Sequence, residues 1–379
     1  MDRKGTVAGL AVMLLLAGGI VLGSRNLRHY DPILLTYTFG TLFAAFAVAY
    51  RYAVWLQRPP TALYMRRGWE FVRRGNVLGN LRFAARAAYE NLLAQRFIRK
   101  RSFVRWLIHF SIAWGTLLAL AVTFPLVFGW LHFASDPDRP EIYRVLLFGL
   151  QIAQFNAHSI GRFVIFNLLN VSAVMVIVGA GLSLHRRLGT KGSAARQQFG
   201  NDIVPLLLLL AISVTGLLLT FSMHALGGAG YPVLSLVHAV TVSATLLYIP
   251  FGKFFHIFQR PAHLAVILYR REGQATPKAV CGRCGTPFAS ALQVTDLARV
   301  LEETGFRLNL ELCPACKRRQ LGLAQAVALR QGPAGPSGLA LLEARPPGAG
   351  SLPTASAERG TLESEVPRSV CSMVPRDGI

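Results

Sequence analysis

Ile203 to Met223 reads IVPLLLLLAISVTGLLLTFSM, an apolar run with no charged side chain. About 20 such residues, wound as a helix, span the hydrocarbon core of a bilayer. Five further stretches have the same character: roughly 6–23, 33–56, 104–130, 162–184 and 233–258. None carries an acidic residue in its middle. The reading is an all-α integral membrane helical bundle of about six transmembrane helices.

Composition agrees. Of 379 residues, 53% are hydrophobic and only 15% charged, with a mean hydropathy of +0.41. A soluble chain of this size needs more polar cover. The net charge of +22 would suggest nucleic acid in a soluble protein. Here the basic residues lie in short segments beside the apolar runs, so the expected partner is the lipid bilayer, with no nucleic acid.

Those segments set the orientation. Segment 57–103 carries Arg58, Arg66, Arg67, Arg73, Arg74, Arg82, Arg86, Arg96, Arg99, Lys100 and Arg101 against Glu70 and Glu90. Segment 185–202 carries Arg186, Arg187, Lys191 and Arg196. Both belong inside by the positive-inside rule, whereas 131–161, with Asp136, Asp138 and Glu141, fits outside. Arg25 and Arg28 oppose this assignment from the short loop 24–32 but are outweighed. The expectation is a multi-pass protein of the cell (inner) membrane with both termini cytoplasmic. Met1-Asp2-Arg3-Lys4 looks like a signal-peptide start, but the apolar run that follows exceeds the usual h-region, so an uncleaved anchor is expected.

The chain divides into two N-terminal spans (1–56), a basic cytoplasmic segment (57–103), a four-helix bundle (104–260), a cysteine-bearing unit (279–325) and a tail (331–379). Pro, Gly, Ala and Ser dominate the tail, which predicts disorder.

Four of the five cysteines form two C-x-x-C knuckles, Cys281-Gly-Arg-Cys284 and Cys313-Pro-Ala-Cys316. Two such turns can present four thiolates tetrahedrally, which suits zinc in a zinc-ribbon-like domain. Rubredoxin-like iron and an iron–sulfur cluster are the alternatives, since four cysteines serve those too. Cys371, in the tail, reads as a free thiol.

Of nine histidines, three are placed for chemistry. His109 lies about one turn inside the third span and His256 about one turn before the end of the sixth, so both are near the same face. His238 lies near the outer end of the sixth span, 18 residues before His256. On one continuous helix that is about five turns, with both imidazoles pointing the same way roughly 27 Å apart, unless Pro250 and Gly252 kink it. Ionisable side chains inside a membrane are costly and usually functional, and imidazole is an axial haem ligand. The plain alternative is that each histidine hydrogen-bonds a neighbouring helix. No C-x-x-C-H motif exists for covalent haem attachment.

At these histidines the sequence resembles a known family. Leu236-Val-His238, Tyr248-Ile-Pro250-Phe-Gly-Lys-Phe-Phe-His256-Ile-Phe258 and Arg260-Pro261 look like the last transmembrane helix of the gamma subunit of respiratory nitrate reductase. Trp106-Leu-Ile-His109-Phe-Ser-Ile-Ala-Trp114-Gly115 looks like an earlier haem helix of that family. Related cytochrome b subunits belong to heterodisulfide-reductase-like and sulfite-reduction complexes. The resemblance covers roughly 104–261. It implies haem b on His109 and His256, and gives His238 the role of a ligand to an outer haem. The partner of His238 would stand ten residues after His109, where this chain has Ala119. The second haem is then absent, or uses His132, His158 or His224.

The implied role is electron transfer between the quinone/quinol pool and a cytoplasmic iron–sulfur oxidoreductase subunit. This chain would be one subunit of the complex, and no catalytic residue is assigned to it. A transporter and a membrane-anchored zinc-domain scaffold without redox role are the other classes. Midplane polar residues, which a transporter needs, are sparse.

Overall fold

The computed structural model describes residues 2–27, 34–189 and 197–330. The tail 331–379, with Cys371, lies outside the described residues, as do Arg28, Lys191 and Arg196. The chain forms two compact units, Met1–Tyr269 and Arg270–Ile379.

Six helices of the first unit are long and apolar enough to cross a membrane: α1 (Arg3–Gly23), α2 (Leu34–Leu56), α6 (Phe103–Val127), α7 (Ile160–Gly189), α8 (Val204–Ala225, entered through a π-turn at Phe199–Ile203) and α9 (Tyr231–Tyr248). The chain is a helical multi-pass membrane protein. Helix starts follow local chemistry. The Asp2 carboxylate caps α1 by accepting from Gly5 N at 2.6 Å, Ser102 caps α6, and Pro stands in the first turn of α8 and α9.

Neighbours in the bundle run α6–α7–α8–α9–α2–α1. With little hydrophobic drive between helices in lipid, close backbone approach decides which faces meet. A Cβ on Gly115 of α6 would stand 2.8 Å from Val176 Cγ2 and 2.9 Å from Ser172 O of α7, and one on Gly179 would stand 3.0 Å from Ile108 O. Gly5 and Gly9 seat α1 against Tyr50 and Phe46 of α2 in the same way. One end of the bundle therefore gathers Asp2, Leu56, Phe103, Gly189 and Tyr248, and is called the basic end below.

The sixth span is shorter than its sequence suggests. Helix α9 stops at Tyr248, a turn spans Ile249–Gly252, a 3-10 turn covers Lys253–Phe255, and α10 (His256–Ala275) begins afresh. His238 and His256 therefore do not share one continuous helix, and the single-helix estimate of their separation does not apply. The cause is local. Pro250 has no N–H to donate, and Gly252 lies so close to the Tyr248 ring that a Cβ there would collide with it. The break is fastened from outside. Arg51 of α2 donates to Pro250 O and covers the Phe255 ring at 4.3 Å. Lys253 pairs with Asp202, which also accepts from Arg187 at 3.3 Å.

Segment 57–103 is helical: α3 (Pro59–Arg73), α4 (Val77–Ala88), a π-turn (Tyr89–Leu93) and α5 (Arg96–Arg99). Leu63, Gly68, Phe71 and Val72 are the buried stripe of α3; Gly68 lies against Ala265 of α10, and Phe71 near Tyr269.

At the opposite end, segment 131–161 carries an antiparallel sheet absent from the sequence reading: β1 (Leu131–Ser135), β2 (Ile142–Leu147) and β3 (Leu150–Asn156), in that order. Phe148 and Gly149, with φ 49° and 85°, make the two-residue turn between β2 and β3.

The second unit contains the hairpin β4 (Lys278–Val280) and β5 (Pro287–Ser290), then α11 (Ala291–Glu303) and α12 (Pro314–Arg330). It is the zinc-ribbon-like domain expected, with both knuckles in it.

Candidate functional site: histidines at the basic end and a four-cysteine centre

The loop before α6 is built around Gln95, a buried residue held in left-handed conformation (φ 51°, ψ 39°) between the π-turn and α5. That conformation costs a non-glycine residue about 1–2 kcal/mol. Two indoles of α6 hold it. Trp106 donates to Ala94 O at 2.9 Å and Trp114 to Leu93 O at 3.1 Å. The Gln95 amide oxygen then lies 2.8 Å from Nδ1 of His109. An amide oxygen only accepts, so Nδ1 carries the hydrogen and Nε2 keeps the lone pair.

His256 opens α10, and its Nδ1 donates to Lys253 O inside the break. Its Nε2 is likewise the atom left for another partner. His256 and Arg260 lie within electrostatic reach of His109. Arg260 also sits over the Phe97 ring of α5 at 4.6 Å, which ties α10 to the segment that carries Gln95.

His238 is held differently. Its Nδ1 is 2.8 Å from Thr215 Oγ1, whose own hydrogen is directed to Ala211 O at 2.6 Å. The ring packs over Gly216, so His238 is seated on α8. His224 bonds Thr220 O at 2.9 Å and lies nine residues, roughly 13.5 Å, further along α8 than Thr215. His132 lies on β1 and His158 between β3 and α7. The structure gives His238 a threonine partner on a neighbouring helix.

In the second unit, the ligand atoms of Cys281, Cys284, Cys313 and Cys316 all lie within 4.8 Å of one another, with Cys284 and Cys313 sulfurs 3.8 Å apart. Cys281 follows β4, and Gly285 (φ 68°) turns the chain so that its N–H donates to Cys281 O at 2.9 Å. Cys313 precedes α12 and its N–H donates to Cys281 Sγ at 3.2 Å. Such N–H donors stabilise thiolate. They hold Cys281 below the ordinary thiol range, and Thr286 brings Cys284 down to about 6. Cys316 is pushed up to about 12, with the hydrogen bond to Cys313 as the first cause. Four converging sulfurs, two of them primed as thiolates, can bind a metal ion.

No protein-family model, no curated protein and no solved structure matches the chain.

His109 and His256, from different helices, offer two imidazole Nε2 atoms at one end of the bundle. The sequence reading missed Gln95, whose role depends on a contact with no local signature. It also missed His263, although its place seven residues after His256 puts it two turns along the same face of α10.

Proposed function

We propose that this chain is the membrane-anchored haem b subunit of an oxidoreductase complex, carrying electrons between the quinone pool and an iron–sulfur partner at the basic, cytoplasmic end. One observation carries the reading. His109 and His256 each have Nδ1 engaged by a carbonyl-type oxygen, from Gln95 and Lys253, which leaves Nε2 of both for iron. Metal-ligating imidazoles are oriented by such partners. When bound, haem supplies one-electron chemistry. The chain's own part is to hold two neutral imidazoles in one tautomer and to shield them with α5 and α10.

The resemblance to the nitrate reductase gamma subunit supports the same pair. At His238 the fit fails on the missing opposite ligand: Thr215 engages its Nδ1 much as Gln95 and Lys253 engage the other two, but Ala119 stands where the family has the second histidine. We therefore assign one haem. A reduced-minus-oxidised spectrum of the detergent-purified chain, with His256→Ala beside it, tests this: the α-band should be present in the first and absent from the second.

For the cysteines we propose one zinc ion. Tetrahedral ligation with Zn–S bonds of about 2.3 Å requires sulfurs about 3.8 Å apart. A cluster would spread its cysteines over several irons. The four sulfurs lie within 4.8 Å, which favours a single ion. Elemental analysis of the full chain should give zinc equimolar with protein; stoichiometric iron with visible colour from this unit would reverse the assignment.

A further inference from the structure

A cavity of about 390 Å³ lies where the end of α2, the start of α3 and one face of α10 meet. Its polar wall comes from Thr61 of α3 and from His256, Gln259, Arg260 and His263 of α10. These α10 positions form one helical stripe. Trp55 and Tyr64 line the other wall. No carboxylate lines the cavity, and among the described residues none pairs with Arg260. The wall is thus rich in hydrogen-bond donors, carries a fixed positive charge and has an aromatic side.

Its level is set by the chain. Trp55 is in the last turn of a candidate span, and Thr61 follows Pro59-Pro60 in the first turn of α3. Aromatic residues mark the membrane–water interface at such span ends. Arg66 of α3 and Arg74 at its C-cap both pair with Glu70. A ligand here meets apolar chain on one side and guanidinium, amide, imidazole and hydroxyl groups on the other.

We propose that this cavity binds the phosphate headgroup of an anionic membrane lipid. Arg260 supplies the forked donors that suit a phosphate, Thr61 and Gln259 supply neutral donors, and Trp55 and Tyr64 border the glycerol and first acyl carbons. The cavity volume is of the ordinary ligand size. The proposal does not rest on the haem reading: His256 and Arg260 border both places, the test leaves His256 intact, and lipid retention is read separately from haem content.

The full chain is reconstituted in phosphatidylcholine bilayers doped with phosphatidylglycerol, extracted mildly and weighed by native mass spectrometry. Wild type and Arg66→Gln should retain phosphatidylglycerol in preference to phosphatidylcholine. Arg260→Gln should lower the retained fraction about tenfold, as loss of a charge-assisted contact implies, and His263→Gln, which removes an imidazole from the wall, should lower it by less. Thr61→Val and Arg260→Lys, milder changes, should fall between. Equal retention by all variants, or of both lipids, would overturn the proposal. So would displacement by inorganic phosphate, which would make it a site for soluble phosphate, or loss of the lipid on haem loading, which would give the space to haem.

Discussion

Gln95 and His109 meet at 2.8 Å, amide oxygen to Nδ1, across a turn that α6 itself holds through Trp106 and Trp114. The helix that carries the imidazole thus also positions the group that fixes its tautomer. Gln95→Leu should leave the buried Nδ1–H without its acceptor, at a cost of about 1–3 kcal/mol, and weaken haem binding about 10–100-fold. Gln95→Glu, a stronger acceptor, should keep haem and lower its midpoint potential. Haem titration and potentiometry read both. Unchanged affinity and potential in Gln95→Leu would remove Gln95 from the account, whatever the haem content of wild type.

His109→Ala and His256→Ala should each abolish haem binding, whereas His238→Ala should retain it. Ala119, where the resemblance places the ligand opposite His238, offers none. Pyridine haemochrome assays on the three variants give the comparison. Loss of half the haem in His238→Ala would establish a second site.

The six spans were legible because length and apolarity alone decide them, and observed ends fall within a few residues of those expected, apart from the sixth. There, hydropathy continues through Phe258, but Pro250 and Gly252 end the helix, and the fastening by Arg51 and Asp202 comes from distant sequence. Helices α3 to α5 were hidden in a segment whose charge was read for topology, although the spacing of Leu63, Phe71 and Val72 carried the signal. The sheet was hidden because its strands are five to seven residues long and its turn uses Phe148, not a common turn residue. The knuckles were legible in full, since spacing alone places the thiolates. Gln95 was not, because nothing local marks a glutamine that partners a histidine 14 residues away.

The break before His256 should be sensitive to volume. Gly252→Ala places a Cβ against the Tyr248 ring, whose hydroxyl donates to Gly200 O, so the ring must leave that bond. The expected destabilisation is about 1–3 kcal/mol, read as a lower melting temperature in detergent. An unchanged melting temperature would show that Tyr248 moves without consequence.

Metal affinity of the second unit should fall with acid. Cys281 and Cys284 have lowered pKa values, Cys284 to about 6, so their thiolates persist below the ordinary thiol range and metal binding is favoured down to lower pH than for ordinary thiols. Protons compete as pH falls through 6, so zinc affinity should decline there, with release at lower pH because the bound ion itself keeps its thiolates deprotonated. Cys281→Ser or Cys313→Ser, both at buried positions, should lose the ion and unfold the unit. Chelator competition followed by far-ultraviolet circular dichroism measures both effects. A zinc affinity, measured against a chelator, that is the same at pH 5 and pH 8 would contradict the thiolate assignment.

The central claim is the haem clamp of His109 and His256. Its most direct test is the dithionite-reduced minus oxidised visible spectrum of the full chain, purified in detergent after expression with ample haem supply. The account predicts a low-spin b-type α-band, with one non-covalent haem per chain, lost in His256→Ala. Absence of any α-band from folded wild-type protein, or an α-band untouched by His256→Ala, would contradict it.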